Sequence, residues 1–174
     1  MKTLSLPYFT NRALKNNDYH PGSQKYTNAA NVLIIFTATG SDKIFHQVRR
    51  LQERFQADKK RVSFLYLLLK EENRPNSALD DHMVALEAKN VSLLGDISQN
   101  EVKEMLNTKF DFMINADMYP NMYSEYIMAK SKSNCKIGRF LDNKDKFYDL
   151  MIATNEVDDQ EYYLDQVYHY IKQL

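Results

Sequence analysis

The stretch Asn31-Val32-Leu33-Ile34-Ile35-Phe36-Thr37-Ala38-Thr39-Gly40-Ser41 decides the fold. Its apolar run from Val32 to Phe36 is short, unbroken and rich in β-branched side chains, the pattern of a strand buried on both faces of a parallel sheet. A hydroxyl-bearing turn follows, and then Ile44, Val48, Leu51 and Phe55 recur at spacings of four, three and four. That spacing places them on one face of a helix. The segment therefore reads as strand, tight loop and amphipathic helix.

The same alternation continues downstream. Val62 to Leu69 is a second apolar strand, followed by a loop from Glu71 to Asn76 and a short helix from Ser77 to Glu87. Val91 to Leu94 reads as a third strand, closed by Gly95-Asp96. Ser98 and Glu101 have the spacing of a capping box, opening a helix whose buried stripe is Val102, Met105 and Leu106. Phe110 to Ala116 is a fourth strand ending in Asp117, and Pro120 suits the first turn of the next helix. Cys135 to Phe140 and Phe147 to Ala153 give two more strands. Asp158 and Asp159 open a last helix with acids at the positive end of its dipole, and Tyr163, Leu164, Val167, Tyr168, Ile171 and Leu174 form its apolar face.

This succession predicts an α/β protein: a single three-layer Rossmann-like or flavodoxin-like domain with a mainly parallel five- to six-stranded sheet. The domain is expected over residues 29–174. Residues 1–28 read as a basic arm, with a short helix around Phe9 to Asn16 and a turn at Pro21-Gly22. Residues 1–30 hold four bases against one acid, leaving 19 bases against 22 acids in the rest.

Composition narrows the function classes. Across 174 residues the basic and acidic side chains balance at 23 each, which argues against a nucleic-acid partner. Only four glycines occur, Gly22, Gly40, Gly95 and Gly138, so neither a G-x-G-x-x-G fingerprint nor a G-x-x-x-x-G-K-[ST] loop is present. The single cysteine, Cys135, asks for no oxidising compartment. Without a signal-like or membrane-spanning apolar run, a cytoplasmic protein is expected.

In open parallel sheets, ligands bind outside the carboxyl ends of the strands, at the point where strand order reverses. Residues delivered there are the candidate ligand-binding set: Thr37, Thr39, Gly40 and Ser41 after the first strand, Asp96 after the third, Asn115 and Asp117 after the fourth, and Arg139 after the fifth. Hydroxyls beside a helix N-terminus can hold a phosphate, although an N-cap at Thr39 or Ser41 with a tight turn at Gly40 accounts for the same residues. Asp117 could serve as a base or bind a ribose hydroxyl, or simply cap the next helix. His20, His46, His82 and His169 form no metal-ligand spacing, and no nucleophile elbow occurs. No catalytic residue, metal or cofactor is therefore assigned.

From Phe110-Asp111-Phe112-Met113-Ile114-Asn115 through Tyr126-Ile127-Met128-Ala129-Lys130-Ser131 to Cys135-Lys136-Ile137-Gly138-Arg139-Phe140, the chain resembles an uncharacterised family of short α/β proteins from Bacteroidota. More distantly, the segment is similar to the N-terminal Rossmann-like half of heptosyltransferase-type glycosyltransferases. That resemblance implies a Rossmann-like layer but transfers no catalytic residue, because too few residues follow Phe140 to build a nucleotide-sugar-binding second half.

Two functional readings follow. One is a non-enzymatic domain acting through protein contacts or self-association, with Tyr163 and Tyr168 of the last helix on the contact surface. The other is a binding module or enzyme for a phosphorylated or nucleotide-like ligand at the carboxyl-end rim.

Overall fold

A computed structural model describes residues 2–16, 24–75, 83–92, 94–154 and 159–174. Its elements are α1 (Lys2–Asn16), β1 (Asn31–Thr37), α2 (Lys43–Ala57), β2 (Arg61–Leu68), β3 (Met83–Glu87), α3 (Asn100–Asn107), β4 (Phe112–Asn115), α4 (Met122–Lys130), β5 (Cys135–Arg139), β6 (Leu150–Ile152) and α5 (Gln160–Ile171). Six strands form one sheet in the order β3-β2-β1-β4-β5-β6, every neighbouring pair parallel. This is the Rossmann order, which decides against the flavodoxin-like alternative.

The apolar run that suggested a buried strand occupies the centre of the sheet. Val32 to Phe36 are fully inaccessible, and alternate side chains enter opposite faces. Val32, Ile34 and Phe36 pack beneath α2 and α5, with Ile44, Val48, Leu51, Phe55, Leu164 and Val167. Leu33 and Ile35 face the other layer, where Val102, Leu106, Ile127 and Leu6 join them from α3, α4 and α1. Burying these five strand residues contributes roughly 10 kcal/mol on the scale of fully buried aliphatic and aromatic side chains. Helix α1 lies against α4, with Leu6 buried and Phe9 packed on Gly95. The Pro21-Gly22 turn falls outside the described residues.

β1 and β4 are clasped at their amino ends. The Asp111 carboxylate accepts from the Ala30 and Asn31 amides at 2.7 and 3.1 Å, and the Asn31 side chain accepts from the Asp111 amide at 2.8 Å. Two acceptor atoms, Asp111 Oδ2 and Asn31 Oδ1, thus take three backbone donors where the pairing of β1 with β4 begins.

Several local expectations are corrected. Met83–Glu87 is the edge strand β3 rather than the end of a helix, while residues 77–82 lie outside the described set. Val91 makes only an isolated antiparallel bridge to Ile97, around a turn with Gly95 at φ +78°, so no strand follows there. Ser98 does not cap α3: its hydroxyl donates to the Asn90 carbonyl, and Gln99 stands at the N-cap with its side chain turned to β3, donating to the Ala85 carbonyl and accepting from the Glu87 amide. The capping box belongs to α4 instead, where Asn121 accepts from the Ser124 amide and the Ser124 hydroxyl accepts from the Asn121 amide. Pro120 precedes that cap. Residues 145–147 form a 3-10 turn, which shortens the last strand to Leu150–Ile152.

Candidate ligand-binding site

The sheet order reverses between β1 and β4, because β1 connects outward to β2 whereas β4 connects to β5 on the other side. At the carboxyl ends of these two strands lies an open cleft of about 380 Å³. Thr37, Thr39, Ser41, Lys43 and Ile44 line it from the loop after β1 and the start of α2; Asp117, Met118, Tyr119 and Asn121 line it from the loop after β4. Gln160 closes the third side from α5, donating to the Ala116 carbonyl at 2.9 Å. Ile44 and Met118 are buried and make an apolar floor, while Tyr119 stands 58% exposed.

A polar chain ties the two loops together. Asp117 Oδ1 accepts from the Thr37 amide and Asp117 Oδ2 from the Thr37 hydroxyl, each at 2.7 Å. The Thr37 oxygen in turn accepts from Asn121 Nδ2 at 2.8 Å, and Asn121 Oδ1 caps α4 through the Tyr123 and Ser124 amides. Asp117 is only 7% exposed. Burial pushes its carboxyl up to about 6, although the two bonds from Thr37 pull the other way.

Behind the cleft, Asn115 acts as a junction. Its Oδ1 accepts from the Asp117 amide at 3.0 Å, its Nδ2 donates to the Tyr148 hydroxyl at 2.9 Å, and its carbonyl accepts from the Tyr163 hydroxyl at 2.8 Å. Fully buried, Asn115 positions the site without lining it. Tyr148 reaches it only because β5 carries Gly138, where a Cβ would stand 2.3 Å from the Tyr148 ring. Burial raises the ionisation of both tyrosines, keeping them neutral donors and acceptors.

Of the residues expected at the rim, Thr37, Thr39, Ser41 and Asp117 meet in the cleft. Gly40, at φ +80°, shapes the turn: a Cβ there would stand 3.2 Å from Asn73 Oδ1. Arg139 is buried and supports the loop from below, donating to the Met118 carbonyl at 3.1 Å and to Thr154 Oγ1 at 3.3 Å, with its guanidinium 5.2 Å from the Tyr119 ring centre. Asp96 does not reach this cleft. It lines a second one with Lys103, Leu106, Asn107 and Lys130, a displacement that follows from the missing strand at Val91. Lys43, Asn121 and Gln160 were not expected at the site. For Lys43, the signal was its place in the first turn of the helix after the hydroxyl loop.

The surface expected on α5 is also corrected. Tyr163 is completely buried and has no surface to offer a partner; Tyr168 is half-buried, its hydroxyl donating to Asp58 Oδ2 at 2.7 Å. Tyr26 donates to the same oxygen at 2.6 Å and Lys172 lies 3.1 Å from it, so the carboxylate joins the last helix to the segment before β1. These donors hold Asp58 down to about 2.

A family model matches residues 2–174, nearly the whole chain, including α1 and the site. The protein belongs to the family of unknown function DUF6913. For this DUF6913 member, no match to a curated protein sequence was found. Among the described residues, no helix is long and apolar enough to cross a membrane, and no group of three His, Cys, Asp or Glu side chains is placed to hold a metal ion.

Proposed function

We propose that this DUF6913 protein binds a small ligand in the cleft between β1 and β4, and that the ligand carries a phosphate or similar oxyanion beside a flat ring or sugar. The observation that carries the reading is the cleft itself, a concavity of about 380 Å³ at the reversal of strand order. Its volume is within the range of small-molecule sites, which combine an apolar bed with a few polar groups. Thr39, Ser41 and Lys43 offer hydroxyls and a cation on one wall, suited to an oxyanion. Tyr119 on the other wall, resting against the Arg139 guanidinium, offers a ring for stacking.

The test is a thermal-shift and calorimetric screen with AMP, FMN and UDP-glucose at millimolar concentration. A stabilising shift that is lost in the Ser41→Ala, Lys43→Ala double variant supports the reading. No shift from any of the three in the wild type overturns it.

A further inference from the structure

Asp117 and Thr37 form a matched pair whose hydrogen can point either way. An ionised carboxylate can only accept. With Asp117 ionised, the Thr37 hydroxyl must therefore direct its hydrogen at Asp117 Oδ2, 2.7 Å away, while its oxygen accepts from Asn121 Nδ2. Thr37 then faces the cleft with an oxygen lone pair and no donor. If a proton from solvent sits on Asp117 Oδ2, that oxygen becomes the donor to Thr37 Oγ1. The Thr37 oxygen now accepts from Asp117 and from Asn121, and its own hydrogen has to turn away from both. The remaining direction is the cleft, which Thr37 lines.

We propose that Asp117 and Thr37 constitute a proton-operated donor switch, so that the cleft takes up an oxyanion together with one proton. The inference rests on the binding reading above and adds its regulation. Protonation changes two things in the same direction: it removes the one carboxylate lining the cleft and adds a hydroxyl donor. Both favour an anion beside Lys43.

The surroundings of Asp117 are consistent with a proton exchanging at this position. Lys43 shares the cleft from α2, Arg139 approaches the same loop from β5, and the neutral hydroxyls of Tyr148 and Tyr163 lie behind on Asn115. Gln160 and Asn121 are uncharged. None of the cations bonds directly to the Asp117 carboxylate among the contacts described, whose partners are the two groups of Thr37. Burial then places the titration near 6. His46, also on α2, is exposed and is not part of the cleft lining.

Sulfate is a suitable probe because its charge is constant between pH 5 and 7.5. Titrating it into the 15N-labelled full chain at both pH values, with amide shifts of the Thr37 to Lys43 loop as readout, gives two dissociation constants. For a group titrating near 6 that must be protonated to bind, sulfate binds about thirty-fold more tightly at pH 5 than at pH 7.5. Asp117→Asn, whose amide donates to Thr37 permanently, binds with nearly equal strength at both. Thr37→Val, should the first variant fold poorly, loses most of the tightening at low pH. Equal wild-type constants at the two pH values overturn the switch while leaving the binding reading intact, and so does a thirty-fold ratio that persists in Asp117→Asn, since another group would then be responsible. No perturbation at either pH overturns both.

Discussion

The Tyr163 hydroxyl donates to the Asn115 carbonyl at 2.8 Å, so the last helix of the chain reaches through the core to the strand that delivers Asp117. Both residues are inaccessible to solvent. Tyr163→Phe removes the donor and leaves a buried carbonyl short of a partner, which costs about 1–3 kcal/mol. Urea denaturation followed by circular dichroism should show a lower midpoint with an unchanged slope. Tyr163→Glu places a charge in the same position and should prevent folding; a folded Tyr163→Glu variant would contradict the burial.

Gly138 and Tyr148 make a second test of the same junction. Because a Cβ at Gly138 would overlap the ring, Gly138→Ala forces Tyr148 away from Asn115, and overpacking of this kind costs about 1–3 kcal/mol. If the site depends on the junction, Gly138→Ala also weakens any ligand found in the thermal-shift screen, although Gly138 lies outside the cleft. Unchanged stability would mean that the ring has room to move.

Stability should depend on pH through two carboxyls acting in opposite directions. The carboxyl of Asp117 is raised by folding, so the native state holds its proton more firmly than the unfolded chain and stability falls as pH rises from about 4 to 6, by on the order of 3 kcal/mol. Asp58 is lowered by folding, so its contribution is present above about pH 4 and is lost as pH falls from there towards 2. Denaturation curves across pH 3 to 7 should be flattened above pH 4 by Asp117→Asn and below pH 4 by Asp58→Asn. The opposite assignment of the two variants would refute both environments.

Helix α1 offers a test of how the amino-terminal residues join the domain. Leu6 is 3% exposed and packs with the layer formed by α3 and α4. Leu6→Ala should cost about 2–4 kcal/mol if α1 unfolds together with the domain. An arm that detaches independently would instead show fast amide exchange throughout α1 and little change in the global midpoint.

The parts of the fold that were legible in the sequence are those where local pattern and burial agree. Val32 to Phe36 and the helix after it announce themselves because both faces of β1 are covered and one face of α2 is. Met83-Val84-Ala85-Leu86-Glu87 does not, because a short edge strand of good helix formers is held in place by pairing with β2 rather than by its own propensity. The segment from Val91 has the composition of a strand, but among the described residues it makes only one bridge, from Val91 to Ile97. The site inherits the same division. Thr37, Ser41 and Asp117 follow from the ends of strongly patterned strands, whereas Asp96 was misplaced with its supposed strand. Gln160 comes from a helix distant in sequence, and only the packed structure brings it to the rim.

The clasp between β1 and β4 spans some 80 residues of intervening chain, joined through Asn31 and Asp111 at one end and Thr37 and Asp117 at the other. During synthesis, β2 can pair with β1 early, but the opposite edge of the most apolar strand in the protein has no partner until β4 emerges. At ordinary elongation rates that interval is on the order of ten seconds. Throughout it, an uncharged edge is open to pairing with other nascent chains. A polypeptide truncated before Asp111 should therefore aggregate in the cell rather than fold, with a chaperone bound to residues 31–37.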